Sequence, residues 1–131
     1  MYGQRGRAAG AYQQTQVQSS SPLELVVLLY DGALRHLAAA RDAMVQQNLT
    51  VRRSSLSRTL AIVTELQTTL NLKDGGTVAE SLDSLYTYII GRLLDANIRH
   101  DADAIPEVER LMRSLRDAWA QIAAQPAGVH P

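Results

Sequence analysis

The sequence predicts an all-α chain, an antiparallel up-down four-helix bundle with a mobile N-terminal arm. Three observations point there. Four segments carry apolar residues three or four apart, the period of a helix with one buried face, and no stretch alternates as a strand would. The segments open or close on recognisable punctuation: Ser21-Pro22, Gly75-Gly76, and Asp103 ahead of Pro106. The connections between them are short, which makes sequence neighbours antiparallel. The expected organisation is a flexible arm over 1–20, a bundle over 21–124 and a disordered tail over 125–131.

Residues 1–20 are rich in Gly, Ala, Gln and Ser and hold no sustained apolar period. The first helix starts at Ser21-Pro22-Leu23-Glu24, with serine as cap, proline in the first helical position and glutamate in the third. It is expected to reach about Gln47, with a stripe of Leu23, Val26, Val27, Tyr30, Leu34, Leu37 and Met44. A flanking row of Leu29, Ala33, His36, Ala40 and Ala43 is mostly small and lets another backbone approach closely. The second helix is expected to begin after Thr50 and end near Leu72. Leu56, Leu60, Val63, Leu66 and Leu70 make its core face, with Ile62 and Thr69 beside it.

Lys73-Asp74-Gly75-Gly76 is a turn by composition, with glycine as a helix stop. Thr77-Val78-Ala79-Glu80 has capping-box form, so the third helix is expected to start on Thr77. Its stripe is Val78, Leu82, Leu85, Tyr86, Ile89 and Leu93. Tyr88, Ile90, Leu94 and Ile98 fall off that stripe, more apolar surface than one core needs. The fourth helix begins near Asp101 or Asp103. Pro106 favours Asp103 as the cap, because proline then sits in the first turn. Ile105, Val108, Met112, Leu115, Trp119 and Ile122 form its stripe.

Composition narrows the function. The chain has 131 residues, 46% of them hydrophobic, and zero formal net charge. That suits one domain with one core and argues against a dedicated nucleic-acid binder. Cysteine is absent, which removes disulfides and thiol chemistry. The N-terminus lacks the apolar core of a signal peptide, and the longest apolar run, Leu25–Tyr30, is far short of a membrane span. The expectation is a soluble cytoplasmic protein without membrane insertion.

Catalytic patterns are missing. His36, His100 and His130 are scattered, and no Glu-x-x-His pair suggests a di-metal bundle. His36 reads as a packing histidine. Asp101 and Asp103 read as helix-start carboxylates. Gly75-Gly76 lacks the pattern of a phosphate loop. Arg52-Arg53 and Arg58 read as a solvated basic face. No enzyme, cofactor or metal is expected.

Several short motifs recur in a specific order. They are Ala11-Tyr12 followed by Val17, then Ser21-Pro22-x-Glu24-Leu25 and Leu29-Tyr30-Asp31-Gly32. Glu65-Leu66, Leu70-Asn71, Gly75-Gly76, Ala79, Leu82, Leu85-Tyr86-x-Tyr88 and Arg92-Leu93-x-x-Ala96-Asn97 come next. Asp101, Glu107-Val108 and Arg116-Asp117-Ala118-Trp119 close the series. In joint order and spacing, from Ala11 to Ile122, the chain resembles the flagellar secretion chaperone family, FliS. It departs from the pattern at Gly91, where the family commonly has a large or basic residue, and in its longer N-terminal Gly/Arg segment. The resemblance implies an antiparallel bundle with no catalysis and no nucleotide. It also implies a partner, the C-terminal segment of flagellin, disordered when free and largely helical as it wraps the chaperone for type III secretion. Export-gate components or a cochaperone are further partners to expect, and a monomer or weak homodimer is the expected free state.

The surplus apolar residues are the candidate groove walls: Leu25, Leu28 and Leu29 on the first helix, Ile62 and Leu66 on the second, Tyr88, Ile90 and Leu94 on the third. Tyr12 and Val17 in the arm are candidates to cover the groove or touch the client. Each residue alone reads as ordinary core or a single exposed apolar group. Together they read as a surface for an amphipathic helix. Two rivals stand beside this one. A histidine phosphotransfer bundle would use His36, although Leu37-Ala38-Ala39-Ala40 follows it where lysine and glycine are usual. A structural homodimer would bury the same apolar faces.

Overall fold

Ser21 opens the fold as its sequence requires: its Oγ accepts the Glu24 N–H at 3.2 Å, and Pro22 fills the first helical position. The computed structural model describes residues 21–125. Within it α1 spans Pro22–Val45, α2 Leu49–Thr68, α3 Gly76–Ile98 and α4 Ala104–Ala123. The four are 24, 20, 23 and 20 residues long, so each runs roughly 30–36 Å. Short turns join them, α1 packs on α2 and α4, and α3 closes the ring against α2 and α4. This is the expected all-α, antiparallel four-helix bundle. The expected arm, with Tyr12 and Val17, and the tail from 126 onward lie outside the described residues.

One core fills the centre. Tyr30, Leu37, Leu56, Val63, Tyr86, Ile89, Leu93, Ile105, Val108 and Met112 are buried there. On α1 the buried positions are Tyr30, Gly32, Ala33, Leu37, Ala40 and Ala43, so the core lies toward the small row. Leu23, Val26, Val27, Leu34 and Met44 of the expected stripe are only half-buried. The small side chains let α1 approach its neighbours closely, and it packs most extensively of the four.

Local chemistry shifts three boundaries. α2 begins at Leu49 rather than after Thr50, because Asn48 caps it: its Oδ1 accepts the Val51 N–H at 3.1 Å. α2 ends at Thr68, earlier than Leu72, and the glycines begin α3 rather than end α2. α3 starts at Gly76, one residue before the expected Thr77 cap, and no side chain caps it. The cause is the preceding turn. Asn71 Oδ1 accepts the Asp74 N–H at 3.1 Å, and Asn71 O accepts the Gly75 N–H at 2.7 Å. That turn, with φ +58° at Gly76, launches the helix before the Thr77 hydroxyl is needed. Val78 is in register with the core stripe but sits in the first turn and is 68% exposed.

Two glycines, Gly75 at the cap of α3 and Gly91 within it, make opposite predictions. A Cβ on Gly75 would lie 2.6 Å from both Ala79 Cβ and Asn71 O. Gly75→Ala is expected to cost about 1–3 kcal/mol through overpacking. A Cβ on Gly91 meets nothing within 4 Å. Gly91→Ala is expected to stabilise by roughly 0.5–1 kcal/mol, because it removes glycine from a helix interior. Urea unfolding of the two variants checks both signs.

Candidate functional site

The candidate groove residues distribute over three seams of the bundle surface. Leu25, Leu28 and Leu29 share with Gly32 the side of α1 that faces α2. Ile62 comes from α2, its Cδ1 lying 3.5 Å from where a Gly32 Cβ would stand. These four apolar side chains are all half-buried and line the α1–α2 seam. His36 lies one turn along, near Arg58 of α2. Its pKa is lowered, first by burial and then by the Arg58 and Arg35 charges.

Ile90 and Leu94 face the other side of α2. Leu94 is 41% exposed and forms a shallow depression with Leu60, Ser57 and Asn97. Nearby, Gln67 Nε2 donates to Asp83 Oδ1 at 3.0 Å and Thr87 Oγ1 at 2.9 Å, tying α2 to α3. Leu66 is 3% exposed and belongs to the core. It is not a groove wall; its register on α2 places it between the two seams, facing the core. Tyr88 is half exposed but stands on the opposite side of α3, on the α3–α4 seam.

That third seam is ionic. The Tyr88 hydroxyl donates to the Glu107 carboxylate at 3.0 Å, and Arg92 Nε donates to Glu107 Oε1 at 2.6 Å. Arg92 Nη1 reaches Asp101 Oδ2 at 2.9 Å and Asp95 Oδ2 at 3.2 Å. The guanidinium therefore gathers three carboxylates from α3, the turn and α4. Asp101 also accepts the Asp103 N–H at 3.0 Å, while Asp103, at the cap position of α4, makes no side-chain capping bond. Arg92 holds the Asp101 and Glu107 carboxyls below their ordinary values of 3.8 and 4.5. Depressed carboxyls contribute stability above the unfolded value and lose it as pH falls through the folded value. Unfolding free energy is thus expected to drop as pH falls from about 5 toward 3. Arg92→Gln should flatten that slope; an unchanged slope in urea titrations would place the acid sensitivity elsewhere.

The α1–α4 seam carries Arg116 Nε on Asp31 Oδ1 at 2.8 Å and Arg41 Nη1 on Glu109 Oε2 at 2.7 Å. In the core between α1 and α3 the Tyr30 and Tyr86 hydroxyls are hydrogen-bonded to each other. Burial pushes both phenols above their ordinary value, and for Tyr30 the Tyr86 hydroxyl adds to the rise. Sequence reasoning missed two buried charges. Glu109 lies on the core side of α4, and Arg52, read as part of a solvated face, is buried. The helical spacing Arg52-Leu56-Thr59-Val63 was the available signal. Among the described residues no cluster could hold a metal ion, and no helix is long and apolar enough to cross a membrane.

A four-helix bundle with apolar seams on both sides of one helix belongs to the class of helical proteins that can seat an amphipathic helix. Comparison with known proteins specifies which. The family model for flagellar protein FliS matches residues 5–126. The flagellar secretion chaperone FliS of Salmonella typhimurium is 40% identical over 111 residues, 84% of this chain and 82% of that one. The protein of the same name in Escherichia coli is 35% identical over 130 residues, 97% and 96% of the two chains. A crystal structure of a bacterial flagellar chaperone superposes with a TM-score of 0.72 at 18% identity, covering 90% of this chain and 96% of that one. The chain belongs to the FliS family of flagellar secretion chaperones.

Proposed function

We propose that this chain binds the C-terminal segment of flagellin in the cytoplasm, covers its apolar stripe and keeps it competent for flagellar type III secretion. One observation carries the reading beyond family membership: both seams of α2 leave apolar side chains half-exposed, Leu25, Leu28, Leu29 and Ile62 on one side, Ile90 and Leu94 on the other. An amphipathic client helix laid in either seam buries its own apolar face there. Two seams separated by the width of α2 suit a client that wraps rather than one that docks at a point. Ordering the client consumes several kcal/mol of the gross gain, so a large contact can stay reversible. The role needs no catalytic group. Tyr12 and Val17 stay candidate contacts from the sequence alone, as apolar residues in a polar stretch directly before α1.

The test is calorimetry of the full chain with a flagellin C-terminal peptide. The expected result is near one-to-one binding with a negative heat-capacity change from apolar burial. No heat and no change in hydrodynamic size at micromolar concentrations would overturn the reading.

A further inference from the structure

The α1–α2 turn and the α3–α4 turn meet at one end of the bundle. Between them lies a cleft of about 330 Å³, lined in part by Met44, Gln47, Asn48, Leu49, Arg52 and His100. Arg52 is its charged wall and is only 7% exposed. Its Nη1 donates to His100 Nδ1 at 2.6 Å, its Nη2 reaches the Asn97 carbonyl oxygen at 3.4 Å, and its Nε has no partner. Both contacts are to neutral acceptors.

The missing counter-charge is not in this chain's side chains. All 13 Asp and Glu lie between Glu24 and Asp117, inside the described residues. None comes within 4.0 Å of the Arg52 guanidinium; the ion pairs among the described residues belong to Arg41, Arg92, Arg99 and Arg116. A guanidinium cannot shed its proton to escape burial, and an uncompensated buried charge is among the costliest arrangements a fold can hold. Asn97 Oδ1, also without a partner, is a dipole and does not neutralise it.

Two further features favour an anion here. α2 begins at the cleft, so the positive end of its dipole lies there. Asn48 Oδ1 is committed to the Val51 N–H, which leaves its amide hydrogens as donors. Because a guanidinium only donates, His100 Nδ1 is the acceptor, and the ring proton sits on Nε2 as another donor. His100 follows the C-cap Arg99 of α3 in the left-handed conformation, φ 56°, that commonly ends a helix, and its ring lies beside Arg52.

We propose that this cleft binds a small oxyanion, with Arg52 as its charge partner and Asn48 and His100 as flanking donors. The oxyanion is either a free anion or an acidic side chain of the client, and the two sources separate experimentally. Labelled full-length chain is titrated with sodium phosphate at constant ionic strength, then in a second arm with a flagellin C-terminal peptide, while the Arg52 Nε–H and His100 ring signals are followed. A saturable shift of both with phosphate, with the His100 shift lost in Arg52→Met and both shifts kept in Arg53→Met, supports a free-anion site. Shifts with the peptide alone, abolished when its acidic residues are changed to amides, support a client carboxylate. Should Arg52→Met not fold, His100→Gln at an exposed position is expected to weaken the response several-fold. Signals that move with neither ligand, or that move linearly and equally at Arg53, overturn the proposal. Signals that stay still with phosphate and also with a peptide that binds by calorimetry overturn the anion site and leave the chaperone reading intact. A phosphate shift without peptide binding does the reverse.

Discussion

Ile89→Ala is expected to lower the unfolding free energy by about 2–5 kcal/mol. Ile89 is fully buried at the centre of the core, in the cluster that includes Tyr30, Leu93 and Met112. Truncation removes apolar contact and leaves a cavity that four rigid helices cannot collapse around. A domain of this size holds only about 5–15 kcal/mol in total, so the variant forfeits a large share. Leu85→Ala and Leu115→Ala, at half-buried positions on the core edge, should cost less. Leu94→Ala, about two-fifths exposed, should cost roughly 1 kcal/mol or less. Urea unfolding orders the series. A Leu94 variant that melts like Ile89→Ala would mean that the α2–α3 seam belongs to the core.

The second large effect concerns the client. Leu28→Asp and Leu94→Asp place a charge in each seam of α2 at positions that are not fully buried. Each is expected to weaken the flagellin peptide at least tenfold, about 1.4 kcal/mol, while far-UV circular dichroism stays unchanged. Together they should abolish binding at micromolar peptide. Loss at only one position would confine the client to that seam. Folded variants with undiminished affinity would remove both seams from the contact. Tyr88→Ala tests something different from Leu94→Asp, since it removes one hydrogen bond to Glu107 while Arg92 still holds that carboxylate.

Fold class, four helices and most of the core were legible because period, caps and short turns agree with one another. Leu37, Leu56, Val63, Tyr86, Ile89, Leu93, Ile105, Val108 and Met112 all sit where their spacing placed them. The capping box at Thr77 misled because a nearer turn, built on Asn71 and Gly75, started the helix first. Arg52 misled because residue type outweighed register, and Glu109 went unread for the same reason; both stand at core-facing steps of their helices. The candidate groove was only partly legible. Spacing could say that Tyr88, Ile90 and Leu94 exceed one stripe, but not that they part to opposite sides of α3. Several motif residues behind the resemblance prove to be internal ties: Asp31 with Arg116, Tyr30 with Tyr86, and Arg92 with Asp101 and Glu107. They report how the bundle is held together more than what it holds.

The unequal packing of the four helices sets an order of opening. α1, with its alanine row, makes the extensive contacts with α2 and α4, whereas α3 is attached by the two sparser seams. One of those seams relies on Arg92 and its carboxylates, which are partly exposed to solvent and so weakened by salt. In effect α1, α2 and α4 are held together more extensively than α3 is held to them. Backbone amides of α3 should exchange with deuterium through partial openings that leave α1 protected, and added salt should widen the gap between the two.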